Sequence, residues 1–250
     1  MTDAGKKRKL RIVDKLFYTR EKTDIQFNFY ISVLPLFKSF ILVFEQKEPL
    51  VHRLHDDLKE LVRSFLACFL KVEKIKSISS KRLCKLDVKD RSNQKPINAW
   101  FIGNSTNQII SKLRSDDPIK TDFYERLRKA YEIGAEYIQN KFPLKNELLK
   151  LLSSIDPKCH GDSVAATMMK KLCSHFPTVI LQDEVDKYEL EVDRFHLDTQ
   201  QTCINEDGST KRLDEWWSLV FDSNKYPTLS KLIKAALSIF TGPMIEQSFR

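Results

Sequence analysis

Apolar residues in this chain recur at intervals of three and four, and that spacing limits the fold to helices packed side against side. Val51, Leu54, Leu58, Leu61, Phe65 and Phe69 form one stripe, while Asp56, Asp57, Lys59 and Glu60 fall on other faces. The same rhythm joins Phe27, Tyr30, Leu34, Phe37 and Ile41 between Asp24 and Gln46, with Pro35 placed to bend that helix. It returns at Phe123, Leu127, Ala130, Tyr131 and Tyr137, for which Asp122 is a candidate N-cap, and at Leu144, Leu148, Leu149 and Leu152 after Pro143. A further helix carries Val164, Ala165, Met168, Met169 and Leu172, capped by Asp162 and ended by Pro177. Strand-like alternation is nearly absent, and Thr178 to Leu181 is only a weak strand candidate. The expected class is mainly α with little β.

Charge divides the chain unevenly. The 42 Lys and Arg exceed the 34 Asp and Glu, leaving a formal +8, and two segments carry the excess. Met1 to Thr23 contains the run Lys6, Lys7, Arg8, Lys9 and reads as a solvated, disordered basic arm, which serves nuclear import, phosphate contact or no more than solubility. Lys71 to Pro96 is polar and basic with scattered Ile and Leu, and reads as an internal linker. Asp183 to Asp198, by contrast, is rich in carboxylates, so any contact with a polyanion is expected to be local. Asp183, Glu184, Asp186 and Glu189 read as a solvated helix face rather than a metal site.

Several chemistries lack their sequence signatures. Six glycines, none in a phosphate-cradling arrangement, give no nucleotide cofactor site, and no cofactor of any kind is expected. Cys159, His160, Cys173 and His175 are clustered but lack the Cys-x-x-Cys knuckle, so no metal is assigned. No Gly-x-Ser-x-Gly elbow marks a hydrolase. The five cysteines are irregularly spaced and are expected to be reduced thiols. The longest apolar stretch, Phe27 to Phe44, is interrupted by Asn28, Ser32, Pro35, Lys38 and Ser39 and falls short of the ~18 apolar residues that span a bilayer. A soluble chain with no membrane partner is expected.

The C-terminal stretch has its own grammar. After a loop at Gln201 to Lys211 come Trp216 and Trp217, then Tyr226-Pro227, then Leu229, Leu232, Ile233, Ala236 and Leu237 on one helical stripe that Thr228 or Ser230 can cap. Adjacent tryptophans point to different sides of a helix, so either one fills the core while the other anchors a partner, or both pack inside the monomer. Trp-Trp, Tyr-Pro-x-Leu-x-x-Leu, Ala-x-Leu-Ser-Ile and a Glu followed by Ser-Phe, in that order over residues 213–250, resemble the C-terminal dimerisation region of hAT-family transposases. The resemblance implies the helical insertion (residues 24–200) and C-terminal helices (201–250) of an incomplete RNase H-like domain, behind a basic arm at 1–23. Glu246 stands at the family's metal-binding glutamate, although Gln247 replaces the usual arginine and Arg250 the usual serine. The two aspartates of that catalytic site would lie in a sheet ahead of the insertion, and residues 1–23 do not hold one.

The expectation is therefore a noncatalytic, transposase-derived protein, nuclear or otherwise cytoplasmic. It would dimerise with itself or a transposase-like relative through Trp216, Trp217, Tyr226, Leu229, Leu232, Ala236 and Leu237. Weak DNA contact through Lys6, Lys7, Arg8 and Lys9, or a residual nuclease centred on Glu246, are the alternatives.

Overall fold

The computed structural model describes residues 2–14, 20–46, 48–198, 204 and 211–239. It is mainly helical, and among the described residues the only pairing of β type that has both partners described is an isolated antiparallel bridge between Leu70 and Gln94. Two compact units are formed from interleaved stretches, one from residues 1–39 and 61–141, the other from 40–60 and 142–250. The long helices α2 (Arg20–Phe44) and α3 (Val51–Ala67) each contribute residues to both.

The first unit contains α1 (Asp3–Val13), most of α2, the second half of α3, the short α4 (Val72–Ile75) and α5 (Ser80–Leu83), α6 (Asn104–Lys112) and α7 (Pro118–Lys141). Its core is aromatic. Tyr131 of α7 stacks on Phe69 with ring centroids 5.1 Å apart, and Phe29, Phe65 and Trp100 meet the same ring at 5.6, 5.6 and 5.8 Å. The Tyr131 hydroxyl donates to the Phe101 carbonyl at 2.6 Å, so the most central ring is also hydrogen-bonded. Gly103, at φ +82°, turns the chain into α6; a Cβ there would lie 1.9 Å from Ser32 Oγ, so only glycine fits between turn and helix.

Three local expectations are corrected in this unit. The segment Lys71 to Pro96 is no linker: Ile75, Leu83 and Val88 are buried, and buried Asn93 and Gln94 satisfy carbonyls at Asp87 and Val88. Gln139 of α7 donates to Leu83 and Leu86, which ties the segment to the core. Asp122 does not cap α7, which begins at Pro118 with Asp117 accepting from Ile119 N; Asp122 instead pairs with Lys22 at 2.7 Å and with Arg126. Part of the supposed arm is helical, since Thr2 caps α1 and α2 begins at Arg20, yet α1 buries nothing and stays solvated as expected. The 24–44 helix expected from periodicity is present, with Pro35 inside it.

The second unit contains α8 (Glu147–Leu152), α9 (Ser163–Lys171), α10 (Val185–Leu197), α11 (Leu213–Asp222) and α12 (Pro227–Leu237), joined by short 3-10 turns, and Val51 of α3 reaches its core. Asn146 and Asp162 cap α8 and α9, the second as the sequence indicates. Thr178 to Leu181 is a turn and bend rather than a strand, and the loop expected at Gln201 to Lys211 lies almost wholly outside the described residues.

Two substitutions measure the first core. Phe69→Ala removes a fully buried ring and is expected to lower the unfolding free energy by about 3–5 kcal/mol. Tyr131→Phe keeps the ring but strips the Phe101 carbonyl of its donor and is expected to cost about 1 kcal/mol, both read by urea denaturation.

Candidate functional site

The tail residues expected to form a dimer seam are placed inside the second unit's own core. Trp216, Trp217, Tyr226, Leu229, Leu232 and Ala236 are all buried, and only Leu237 is partly exposed. The two adjacent tryptophans do not diverge to separate sides; their rings meet edge to face with centroids 5.1 Å apart, and both are buried. Phe195 stacks on Trp217 and meets Trp216 edge-on, and Trp217 Nε1 donates to the Ile155 carbonyl at 3.0 Å.

A buried carboxylate fixes α12. Glu191 of α10 accepts from the backbone N–H groups of Thr228 and Leu229 at 2.7 and 2.8 Å, which satisfies the first turn of α12 from a neighbouring helix. Neither Thr228 nor Ser230 is the cap; Tyr226 precedes the helix and Pro227 opens it. Glu191 was legible as part of the stripe Tyr188, Glu191, Val192, Phe195, all buried at helical spacing, although the surrounding density of acids reads as a solvated surface. Around it, the Tyr226 hydroxyl donates to Asp198, and that hydroxyl together with Lys225 holds the Asp198 carboxyl below the usual carboxylate range. Lys231 pairs with Glu184 at 2.9 Å, whereas Asp183, Asp186 and Glu189 are exposed as expected.

Two of the soft ligands are engaged by the fold, with Cys173 Sγ donating to the Lys170 carbonyl at 3.0 Å. His160 bonds the Phe195 carbonyl at 2.7 Å, and Gly161 N donates to His196 Nδ1 at 3.0 Å, so this pair joins the loop before α9 to the end of α10. Burial, reinforced by His160, holds His196 below its ordinary pKa. Among the described residues no group of three His, Cys, Asp or Glu is positioned around a common point. Glu246 lies outside the described residues. Elsewhere in this unit a polar cavity of about 370 Å³ is lined by His52, Arg53, Asp156, Lys158 and Lys211, among others.

Lys6, Lys7, Arg8 and Lys9 are exposed on α1, with Lys6 loosely paired to Asp3 at 3.9 Å. The face of α2 that the sequence spacing marks for packing is instead exposed at Phe27, Tyr30, Leu34 and Ile41. On α2, Ile25, Phe29 and Val33 face the first unit's core, while Phe27, Tyr30, Ile31 and Leu34 are 58, 52, 65 and 57% exposed. A helix apolar on all sides is ordinarily covered on all sides, so this stripe is the unsatisfied feature of the unit. The signal was present as Ile31, which sits between the two halves of the recognised periodicity and widens it beyond one face. By length and composition α2 is apolar enough to cross a bilayer, contrary to the reading of its interruptions. Beside the stripe, a groove of about 850 Å³ runs between Ser32, Pro35 and Leu36, Ser64 of α3, and the turn at Trp100 to Asn104.

No protein-family model matches the chain, and neither a curated protein nor a solved structure matches it.

Two measurements probe the second unit. Glu191→Ala leaves two buried N–H groups without an acceptor and is expected to cost about 2–6 kcal/mol, at about 1–3 kcal/mol for each, with Glu191→Gln, which keeps an oxygen there, costing less. Burial, only partly offset by Asp156, brings His52 down to about 4 from its ordinary 6.5. As pH falls through 6.5 the unfolded chain takes up a proton that the folded chain refuses until about 4, so stability is expected to fall by roughly 3 kcal/mol across that window. His52→Leu should remove that share of the loss in denaturation curves at pH 7 and pH 4.

Proposed function

We propose that the chain is a noncatalytic, transposase-derived helical module that acts by associating with a second copy of itself. The observation that carries this reading is the uncovered apolar stripe of Phe27, Tyr30, Ile31 and Leu34 on α2. The resemblance of residues 213–250 to the hAT tail supports the descent, and the role it gives that tail is assigned here differently. Trp216, Trp217, Tyr226 and Leu232 are already covered by the chain's own side chains, so they hold the unit together instead of meeting a partner.

Magnitudes set the character of the dimer. Burying the exposed half of each stripe residue is worth on the order of 1 kcal/mol, so two copies supply roughly 8 kcal/mol from four residues each. The freedom lost on association is about 4–15 kcal/mol, so the pair is expected to form and dissociate with concentration rather than be permanent. Exposed bases on α1, and Lys74, Lys76, Lys81 and Arg82 in the first unit, leave phosphate contact as a secondary activity of the same module.

Light scattering behind size-exclusion chromatography tests the reading on the full chain. The expected mass rises towards that of a dimer with loading concentration, and Leu34→Asp holds it at the monomer with an unchanged circular dichroism melt, since Leu34 is not in the core. Trp217→Ala should behave oppositely, lowering the melting temperature through a loss of about 3–5 kcal/mol from the core. A chain that is monomeric at every concentration would refute self-association.

A further inference from the structure

The exposed stripe of α2 also carries a direction. Phe27, Ile31, Leu34 and Lys38 are separated by four, three and four residues, the spacing of a two-helix seam in which alternate positions interdigitate. Lys38 is exposed on this line and makes no ion pair among the described residues. Between residues 27 and 38 the seam therefore holds three large apolar side chains and one cation, with Ile41, 52% exposed, next on the line, and the position of that cation discriminates between the two ways of pairing copies.

A parallel pair sets each residue against itself. Lys38 would then face Lys38 of the second copy across the seam, with two like charges in a partly desolvated contact. An antiparallel pair with Ile31 opposite Leu34 of the second copy brings Lys38 opposite Phe27 and Tyr30 opposite Pro35. Lys38 can there lay its methylene stem along apolar surface and place its ammonium over the Phe27 ring. Each copy offers both halves of that contact, so it forms twice, as a two-fold interface requires.

We propose that two copies of this chain pair through α2 in the antiparallel sense, with Ile31 against Leu34 and Lys38 against Phe27. The inference rests on the self-association reading and adds to it the residues and the register. Ile25, Phe29 and Val33 point away from the seam into the chain's own core, so pairing leaves that packing undisturbed.

The test is disulfide trapping on the full chain, in a one-to-one mixture of the Ile31→Cys and Leu34→Cys variants under mild oxidation, with peptides identified by mass spectrometry. Both positions are exposed, so neither variant opens the core, and the unsubstituted chain treated alike gives the background from its native cysteines. The expected product is the mixed 31–34 disulfide in severalfold excess over the 31–31 and 34–34 products, because a disulfide needs the two Cα atoms within about 7 Å. Scattering that reports a dimer together with predominantly 31–31 and 34–34 products would overturn the antiparallel register while leaving self-association intact. A monomer by scattering overturns both. A monomer that co-sediments with phosphatidylserine vesicles would assign the stripe to a lipid surface instead, which likewise overturns the inference.

Discussion

Glu191 is the point on which the second unit turns. Its carboxylate is buried and accepts two backbone N–H groups at the start of α12, so the last described helix is positioned by a side chain on α10. Once α12 is placed there, Leu229, Leu232, Ile233 and Ala236 close over the tryptophans of α11, and Tyr226 reaches Asp198. A charged group is costly to bury unless its oxygens are well satisfied, and here the positive end of a helix does that. The interaction is therefore specific as well as stabilising: a shift of α12 by one residue would leave the carboxylate without its two donors.

That arrangement changes what the tail can do. Aromatic and aliphatic residues that look like interface anchors in the sequence serve as interior packing once α10 and α12 enclose α11. The exposed apolar surface is elsewhere, on α2, where six large apolar side chains, Phe27, Tyr30, Ile31, Leu34, Ile41 and Leu42, remain open to solvent while Ile25, Phe29 and Val33 pack inward.

Much of the helical architecture could be read from the sequence because helical periodicity is a local property. The stripe from Val51 to Phe69 and the cap at Asp162 depend only on residues three or four apart, and both are present. What was not legible depends on tertiary partners. Lys71 to Pro96 looks like a linker because its apolar residues are sparse, yet Leu83 and Val88 are buried once Gln139 of α7 binds the backbone beside them. The caps of α7 and α12 were displaced for the same reason, Asp122 being drawn to Lys22 and the role expected of Thr228 falling to a carboxylate from another helix. The order of motifs in the tail is a local property of the sequence, and packing geometry alone decides which of those residues face outward.

Hydrogen–deuterium exchange at low and high protein concentration tests the central claim most directly, because it reports on both ends of the chain in one experiment. The account predicts that amides of residues 27–38 gain protection as concentration rises while those of 213–237 stay equally protected throughout. Concentration-dependent protection confined to 213–237, with residues 27–38 unchanged, would contradict it and return the contact surface to the tail.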